Sequence, residues 1–154
     1  PKTVHDPNTS PSSLTQVPKV RFGSTNIDLS ILTLGGMRQQ EKWGPAITTM
    51  EQVSDACQEN FKSIMSWAWK CGVNHFETAR GYGCSELQFG AALEELVRGG
   101  EIERGELVLQ TKVGAKESAE AFRADLEQSF ANLRVEYGRA KRGVRRHRLG
   151  VPLA

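Results

Sequence analysis

Short apolar runs alternate with helical stretches from residue 31 onward, and this alternation limits the folds open to the chain. The runs ILTL, VNHFE and LVLQT, at residues 31–34, 73–77 and 107–111, are typical of strands. Each is followed by a stretch with the periodicity of an amphipathic helix. Strand–helix units of roughly 30 to 40 residues predict a parallel sheet, either open and doubly wound or closed into a barrel. Periodicity alone leaves both architectures open.

Capping residues predict where the helices begin. Thr48 with Glu51, and Ser85 with Gln88, have the spacing of capping boxes, and a third helix is predicted from about Ser118. Glycines at positions 72, 99 and 100 are expected to end the first two helices. The predicted apolar faces are Val53, Cys57, Phe61, Ile64 and Ala68 in the first helix, Phe89, Leu93 and Leu96 in the second, and Phe122, Leu126, Phe130 and Leu133 in the third.

The two ends of the chain differ from this middle part. Residues 1–19 are rich in Pro, Ser and Thr and are predicted to form a disordered lead. KVRF and IDLSI then flank Gly-Ser-Thr-Asn, which predicts a small hairpin. The apolar pattern stops after Tyr137, and residues 138–154 are too basic for a buried fourth strand. We therefore expect a lead (1–19), a partial barrel (20–137) and a tail (138–154) that derives from a changed reading frame or splice.

Composition narrows the class of protein. With 154 residues and 38% hydrophobic content, the chain has the size of one common globular domain. It has neither an apolar run of roughly 18 residues nor a secretory signal, so we expect a soluble cytoplasmic protein without a membrane partner. The three cysteines lack Cys-x-x-Cys spacing, and neither a disulfide framework nor a metal site is predicted.

Three polar residues follow the ends of predicted strands, where parallel strand–helix folds place reactive groups. Glu77 ends the second strand, Tyr82 lies in the loop after it, and Lys112 ends the third strand. An ammonium near a phenol lowers the tyrosine pKa, so Tyr82 could protonate a carbonyl oxygen that gains charge from a hydride. Taken singly, each residue also has a structural interpretation: a charge at the start of a helix, an aromatic in a turn, and a solvated strand end.

The stretch GVNHFETARGYGCSELQFGAAL, residues 72–93, resembles the signature of the aldo-keto reductase family. LTLGGMRQQ resembles the family's first strand with its Gly-x-Met turn beside the nicotinamide, and LVLQTKVG resembles the strand that carries the catalytic lysine. GGMRQQ together with ETARGYG is similar to a subgroup that has Glu at the acid position and carries a C-terminal ferredoxin-like cluster domain. The resemblance implies a truncated (β/α)8 TIM-type barrel, with about the first three to four strand–helix units and an N-terminal hairpin.

The resemblance also implies an activity. Family members reduce carbonyl compounds with NADPH, which would make Tyr82 the general acid and Lys112 and Glu77 its supports. Gly36, Met37 and Glu77 would contact the cofactor, and the substrate would be a small-molecule aldehyde or ketone. The family's usual acid is Asp, and the extra methylene of Glu77 could move the carboxylate by about an ångström, a misplacement that can cost on the order of a hundredfold in rate.

Two expected parts of the site have no counterpart in the sequence. The family's fourth catalytic residue is a histidine, which alignment through Tyr137 would place near Val144. His147 lies in the basic tail and is expected to be solvated, whereas His75 is expected to pack in its strand and to face away from Glu77. Phosphate sites in such barrels come from strands seven and eight. We therefore expect a weakly active or inactive oxidoreductase.

The alternative is a non-catalytic fragment whose basic tail binds nucleic acid or an anionic surface. Residues 138–154 contain six Lys and Arg residues and no acid, which permits contacts to phosphates. The tail has no aromatic residue on which a base could stack, and short basic tails are usually just solvated. Nucleic-acid binding is therefore the less favoured hypothesis.

Overall fold

The structure is a computed structural model that describes residues 15–38 and 49–135. A single turn of 3-10 helix, Met50–Gln52, precedes the first α-helix. Within these ranges the elements follow in the order β1 Lys19–Arg21, β2 Asp28–Ser30, β3 Leu34–Gly35, α1 Asp55–Lys70, β4 His75–Glu77, α2 Ser85–Arg98, β5 Val108–Gln110 and α3 Ala119–Asn132.

Three of the strands form a parallel sheet in the order β3-β4-β5. Leu34 lies opposite Phe76, and Phe76 lies opposite Leu109, so these three side chains form one row across the sheet. Phe76 is fully buried, and Leu34 and Leu109 pack against the same core. The predicted α/β architecture with a parallel sheet is confirmed.

The core lies between this row and the helices. Phe61 and Met65 of α1 and Phe89 and Leu93 of α2 are buried in it. The rings of Phe61 and Phe89 meet edge to face, with their centroids 4.9 Å apart. Burial of aromatic side chains of this size dominates the energetics of a small core. α1 and α2 therefore pack against the face of the sheet that carries this row.

The hairpin predicted around Gly-Ser-Thr-Asn is present. β1 and β2 are antiparallel, and Val20 lies opposite Leu29. The hairpin is joined to the main sheet by Asn74, which precedes β4. Its side-chain oxygen accepts a hydrogen bond from Ser30 N at 2.8 Å, and its amide nitrogen donates to Asp28 O at 2.9 Å. The hairpin thus covers the amino end of β4, opposite to the edge that carries the candidate site.

The start of α1 differs from the prediction. The N-cap is Ser54, whose hydroxyl accepts a hydrogen bond from Cys57 N, and Glu51 belongs to the preceding 3-10 turn. Thr48, the other half of the predicted capping box, lies outside the described residues. The buried face differs from the prediction at one position: Phe61 is buried as expected, but Met65 is fully buried in place of Ile64, which is 37% exposed. Gly72 follows the helix with φ 86°, in agreement with its expected role as a stop signal.

The predicted capping box at Ser85 is wrong. Cys84 is the N-cap of α2 and Ser85 is the first helical residue. The Ser85 hydroxyl instead accepts a hydrogen bond from Thr78 Oγ1 at 2.8 Å and donates to Gly36 O at 3.0 Å. The hydroxyl therefore links α2 to the segments that follow β3 and β4 and does not cap the helix.

The third helix begins as predicted. The Ser118 hydroxyl accepts a hydrogen bond from Ala121 N, which caps α3. Its apolar face is only partly covered, because Phe122 is 41% exposed whereas Leu133 is buried in the core. The described part of the chain therefore buries the end of α3 more completely than its start.

Parts of the predicted organisation lie outside the described residues. These are residues 1–14 of the lead, Tyr137 and the basic tail 138–154. The end of the predicted lead contacts the fold. Gln16 donates its side-chain amide to Lys70 O, Val17 N donates to Cys71 O, Pro18 O accepts from Ile31 N, and Lys19 is the first residue of β1. Among the described helices, none is long and apolar enough to cross a membrane.

Candidate active site

The candidate site lies where β4 and β5 end. Their parallel pairing continues beyond the last strand residues, because Thr78 N donates to Gln110 O and Arg80 N donates to Lys112 O, each at 2.9 Å. This extended ladder fixes the backbone at Lys112 relative to the loop that follows β4. Side chains of the two strand ends are therefore held close together.

The structure brings the three sequence-predicted catalytic residues together. Lys112 Nζ forms an ion pair with Glu77 Oε1 and lies 4.7 Å from the centre of the Tyr82 ring. A cation at this distance from an aromatic ring is attracted by the negative face of the ring. Tyr82 is held in a turn in which its N–H donates to Ala79 O at 3.0 Å. One ammonium thus contacts both the carboxylate and the aromatic ring.

Burial of the three groups is incomplete. The Glu77 side chain is 20% exposed and that of Lys112 is 46% exposed. Partial burial lowers the pKa of Lys112 below its ordinary value, because desolvation disfavours the charged amine. The candidate site therefore reaches solvent.

The two further residues expected to contact a cofactor lie at the same edge of the sheet. Gly36 N donates to Glu77 O at 2.7 Å, directly after β3. A β-carbon on Gly36 would collide with the Phe89 ring and the Ser85 hydroxyl, so α2 can approach this point only if the residue is glycine. Met37 follows with 37% of its surface exposed. These residues place β3 beside the Glu77 backbone.

Sequence reasoning did not assign a role to Glu86, although the residue is 2% exposed. Its carboxylate accepts hydrogen bonds from Thr111 Oγ1 at 2.7 Å and Asn132 Nδ2 at 3.1 Å. Arg80 Nη1 lies 3.6 Å from the same carboxylate. A signal was available, because Glu86 precedes Phe89 and Leu93 by three and seven residues and so occupies the buried stripe of α2.

His75 was expected to face away from Glu77, and this expectation is wrong. The two residues are two positions apart in β4, and alternation along a strand puts them on the same face of the sheet. Both ring nitrogens of His75 have partners, Thr33 Oγ1 at 3.0 Å and Gln110 Oε1 at 3.1 Å. His147 and Val144 lie outside the described residues.

With this geometry established, comparison with protein families defines the class. Residues 31–138 match the aldo/keto reductase family. The match spans β3 to α3 and includes Glu77, Tyr82 and Lys112. The chain belongs to the aldo-keto reductase family, as the sequence motifs predicted. No curated protein sequence matched the chain.

Solved structures agree with this assignment. An aldo-keto reductase structure from Pseudomonas aeruginosa is similar with 25% identity and a TM-score of 0.60, over 80% of this chain and 46% of the other. A Bombyx mori aldo-keto reductase in complex with NADP is similar with 26% identity and a TM-score of 0.57, over 80% of this chain and 36% of the other. The chain thus spans less than half the length of either relative, and its described sheet corresponds to part of their fold.

Proposed function

We propose that this chain carries the proton-donating part of an NADP(H)-dependent carbonyl reductase site. The observation that carries the proposal is the position of the Lys112 ammonium between the Glu77 carboxylate and the Tyr82 ring. Family membership supports the same assignment. The substrate class that fits is a small aldehyde or ketone, because the chemistry needs only one acid and an open approach.

Each residue has a distinct role in this proposal. Tyr82 gives the proton of its hydroxyl to the carbonyl oxygen of the substrate. Lys112 stabilises the negative charge that this transfer leaves on the tyrosine, since an adjacent cation favours a phenolate. Glu77 orients the lysine through their ion pair. General acid catalysis by a positioned side chain contributes roughly 10²- to 10⁴-fold in rate.

The residues at this edge of the sheet fit a nicotinamide cofactor. Met37, which directly follows Gly36, offers an exposed apolar side chain on which a flat ring could lie. Gly36 keeps the backbone close to Glu77 O without an intervening side chain. NADPH would supply the hydride for the carbonyl carbon. The Bombyx mori relative was solved in complex with NADP, which supports this choice of cofactor.

For the 154-residue chain assayed alone we expect weak cofactor binding. In (β/α)8 barrels the phosphate groups of ligands are frequently bound by the loops after strands seven and eight. The chain spans 46% of the length of its Pseudomonas aeruginosa relative. High NADPH concentrations are therefore appropriate in any test of activity.

The test is carbonyl-dependent oxidation of NADPH, with binding followed by fluorescence titration. We expect Tyr82→Phe to lower the rate by roughly 10²-fold or more while cofactor binding is retained, because only the acidic hydroxyl is removed. The matched control is Tyr137→Phe, which removes the hydroxyl of the chain's other tyrosine and should leave the rate unchanged. Equal rates in the wild type and in Tyr82→Phe would contradict the proposed role of Tyr82.

A further inference from the structure

The most completely enclosed acidic group of the described chain lies directly behind the candidate site. Glu86 is in the first turn of α2 and is 2% exposed. A buried carboxylate is costly unless hydrogen-bond donors and a cation replace its water. The structure supplies these from three places: Arg80 in the loop after β4, Thr111 after β5, and Asn132 at the end of α3.

Two of these partners are linked to Lys112. Thr111 immediately precedes it, and the Thr111 hydroxyl donates to Glu86 Oε1 at 2.7 Å. Arg80 holds the lysine from the other side, because Arg80 N donates to Lys112 O at 2.9 Å while its guanidinium faces Glu86 Oε2. One buried carboxylate therefore anchors both segments that fix the backbone at Lys112.

We propose that Glu86 is the positioning residue for Lys112, acting through Thr111 and Arg80. The inference deepens the proposed function and rests on it, since it explains how a partly exposed lysine is kept in reach of Glu77 and Tyr82. Lys112 has a long side chain that is 46% exposed, so its end is localised only if its backbone is fixed. Misplacement of a catalytic group by about 1 Å can cost on the order of a hundredfold in rate.

Glu86 also links the Lys112 backbone to α2 and α3. Its side chain contacts Asn132 at the end of α3, whereas its backbone belongs to α2. A carboxylate in the first turn of a helix interacts favourably with the helix dipole. A displacement of α2 or α3 would therefore also move Lys112, because Glu86 connects these helices to its backbone.

The experiment uses the full 154-residue chain with its lysines reductively methylated with ¹³C-formaldehyde. Each dimethyl-lysine gives an NMR signal whose pH titration reports its amine, and Lys112→Arg assigns the signal of Lys112. The test variants are Thr111→Val, which removes only the hydroxyl to Glu86, and Thr111→Ser, which retains it. Glu86→Gln is the direct variant, and it places an amide donor opposite Asn132 or Arg80.

The matched control is Glu101→Gln. Glu101 is a second carboxylate that joins elements, through a hydrogen bond from Ser66 and an ion pair with Lys70, and it follows α2 at the other end of the helix. Its loss should lower stability without altering Lys112. The control thereby distinguishes a general loss of stability from a displacement of Lys112.

We expect Thr111→Val and Glu86→Gln to shift the Lys112 signal toward those of exposed lysines and to raise its pKa toward the ordinary value, because the displaced amine regains water. The groups that face this amine are Glu77 and Tyr82, and neither is altered in these variants. Thr111→Ser and Glu101→Gln should leave the signal unchanged. An unchanged Lys112 signal in a folded Thr111→Val chain would overturn the proposal.

The two proposals fail in different ways. The NMR signal reports the position of Lys112 whether or not the chain turns over a carbonyl, so an inactive chain with the expected shifts would contradict only the proposed activity. Where turnover is measurable, Thr111→Val should lower kcat by roughly ten- to a hundredfold and Thr111→Ser should restore it. An unchanged kcat in a variant whose Lys112 NMR signal has shifted would show that catalysis does not depend on the position of the Lys112 amine.

Discussion

At the scale of single residues, the fold depends on glycines at which two elements come into direct contact. Gly90 lies in the middle of α2, where a glycine normally weakens a helix by about 1 kcal/mol relative to alanine. A β-carbon at this position would collide with the carbonyl oxygen of Asn132 and lie 3.0 Å from the Leu133 carbonyl carbon. Backbone atoms cannot avoid such a collision by a change of rotamer, as a side chain can. The glycine therefore allows α2 and the end of α3 to pack against each other.

We predict that Gly90→Ala destabilises the protein by roughly 1–3 kcal/mol, because the cost of overpacking exceeds the gain in helix propensity. The free energy of unfolding in urea measures the effect. Gly105→Ala is the control, since the nearest atom to its β-carbon would be Glu103 Oε1 at an ordinary 3.7 Å. Equal stability of the two variants would show that α2 and α3 do not approach each other at Gly90 as described.

Sequence reasoning at this scale succeeded where a residue's role depends on its neighbours in the chain. Ser118 caps the helix that follows it, and Gly72 ends the one before it. The role of Glu86 could not be predicted from the sequence, because two of the residues that it contacts, Thr111 and Asn132, are 25 and 46 residues away. For the same reason Ser85 was taken for a helix cap, whereas its hydroxyl bonds to Gly36 O, 49 residues earlier.

At the scale of elements, the hairpin is joined to the sheet through Asn74, whose backbone N–H also donates to Ser30 Oγ at 3.2 Å. Asn74 bonds to the backbone of Asp28 and Ser30 and also donates to Glu106 O at 3.4 Å. It is 5% exposed, so its partners have little water to replace it. The connection between β1–β2 and the sheet therefore depends on an amide that both donates and accepts.

We predict that Asn74→Ala lowers stability by roughly 1–3 kcal/mol, because it leaves buried backbone groups without partners. Hydrogen exchange should increase first in β2, at Ser30, whose N–H loses its acceptor. Asn26→Ala, at the exposed tip of the hairpin, removes only a hydrogen bond from Arg21 and should change stability little. Hydrogen exchange that rises uniformly over the chain would contradict this account.

The end of α1 is tied to the segment after α2 by Glu101. Burial raises the pKa of this carboxyl, but the hydrogen bond from Ser66 and the Lys70 ammonium outweigh it and hold the pKa below its ordinary value. A carboxyl whose pKa is lowered by folding stabilises the folded state above its unfolded pKa. This contribution is lost as the pH falls through the lowered value.

We predict that the wild type loses stability more steeply than Glu101→Gln below about pH 4.3, the ordinary glutamate pKa. Above that pH the wild type should be the more stable of the two, because only the charged form pairs with Lys70. Urea unfolding across this pH range measures the difference. Parallel curves for the two proteins would mean that Glu101 titrates alike in the folded and unfolded states.

At the scale of the whole molecule, parallel pairing converts positions far apart in sequence into one site. Glu77 ends β4 and Lys112 lies two residues beyond the end of β5, and the parallel pairing of these strands makes their proximity a consequence of topology. Their proximity could be predicted, since the carboxyl ends of neighbouring parallel strands meet at one edge of the sheet. Their proposed roles rest instead on the resemblance of the motifs to the family. The burial of Met65 in place of Ile64 in α1 could not be predicted, because the surrounding core decides which side chains of the helix are covered.

The central claim is that Tyr82 and Lys112 act as one unit, and a double-mutant cycle on NADPH-dependent carbonyl reduction tests it most directly. Tyr82→Phe and Lys112→Met should each lower the rate, and the double variant should lose about as much as Tyr82→Phe alone, because residues that act as a unit are not additive. Lys116→Met is the control, since Lys116 pairs with Asp125 and its effect should multiply with that of Tyr82→Phe. Independent, multiplying losses at Tyr82 and Lys112 would contradict the claim, and no turnover by the folded wild-type chain would contradict its assignment as a reductase.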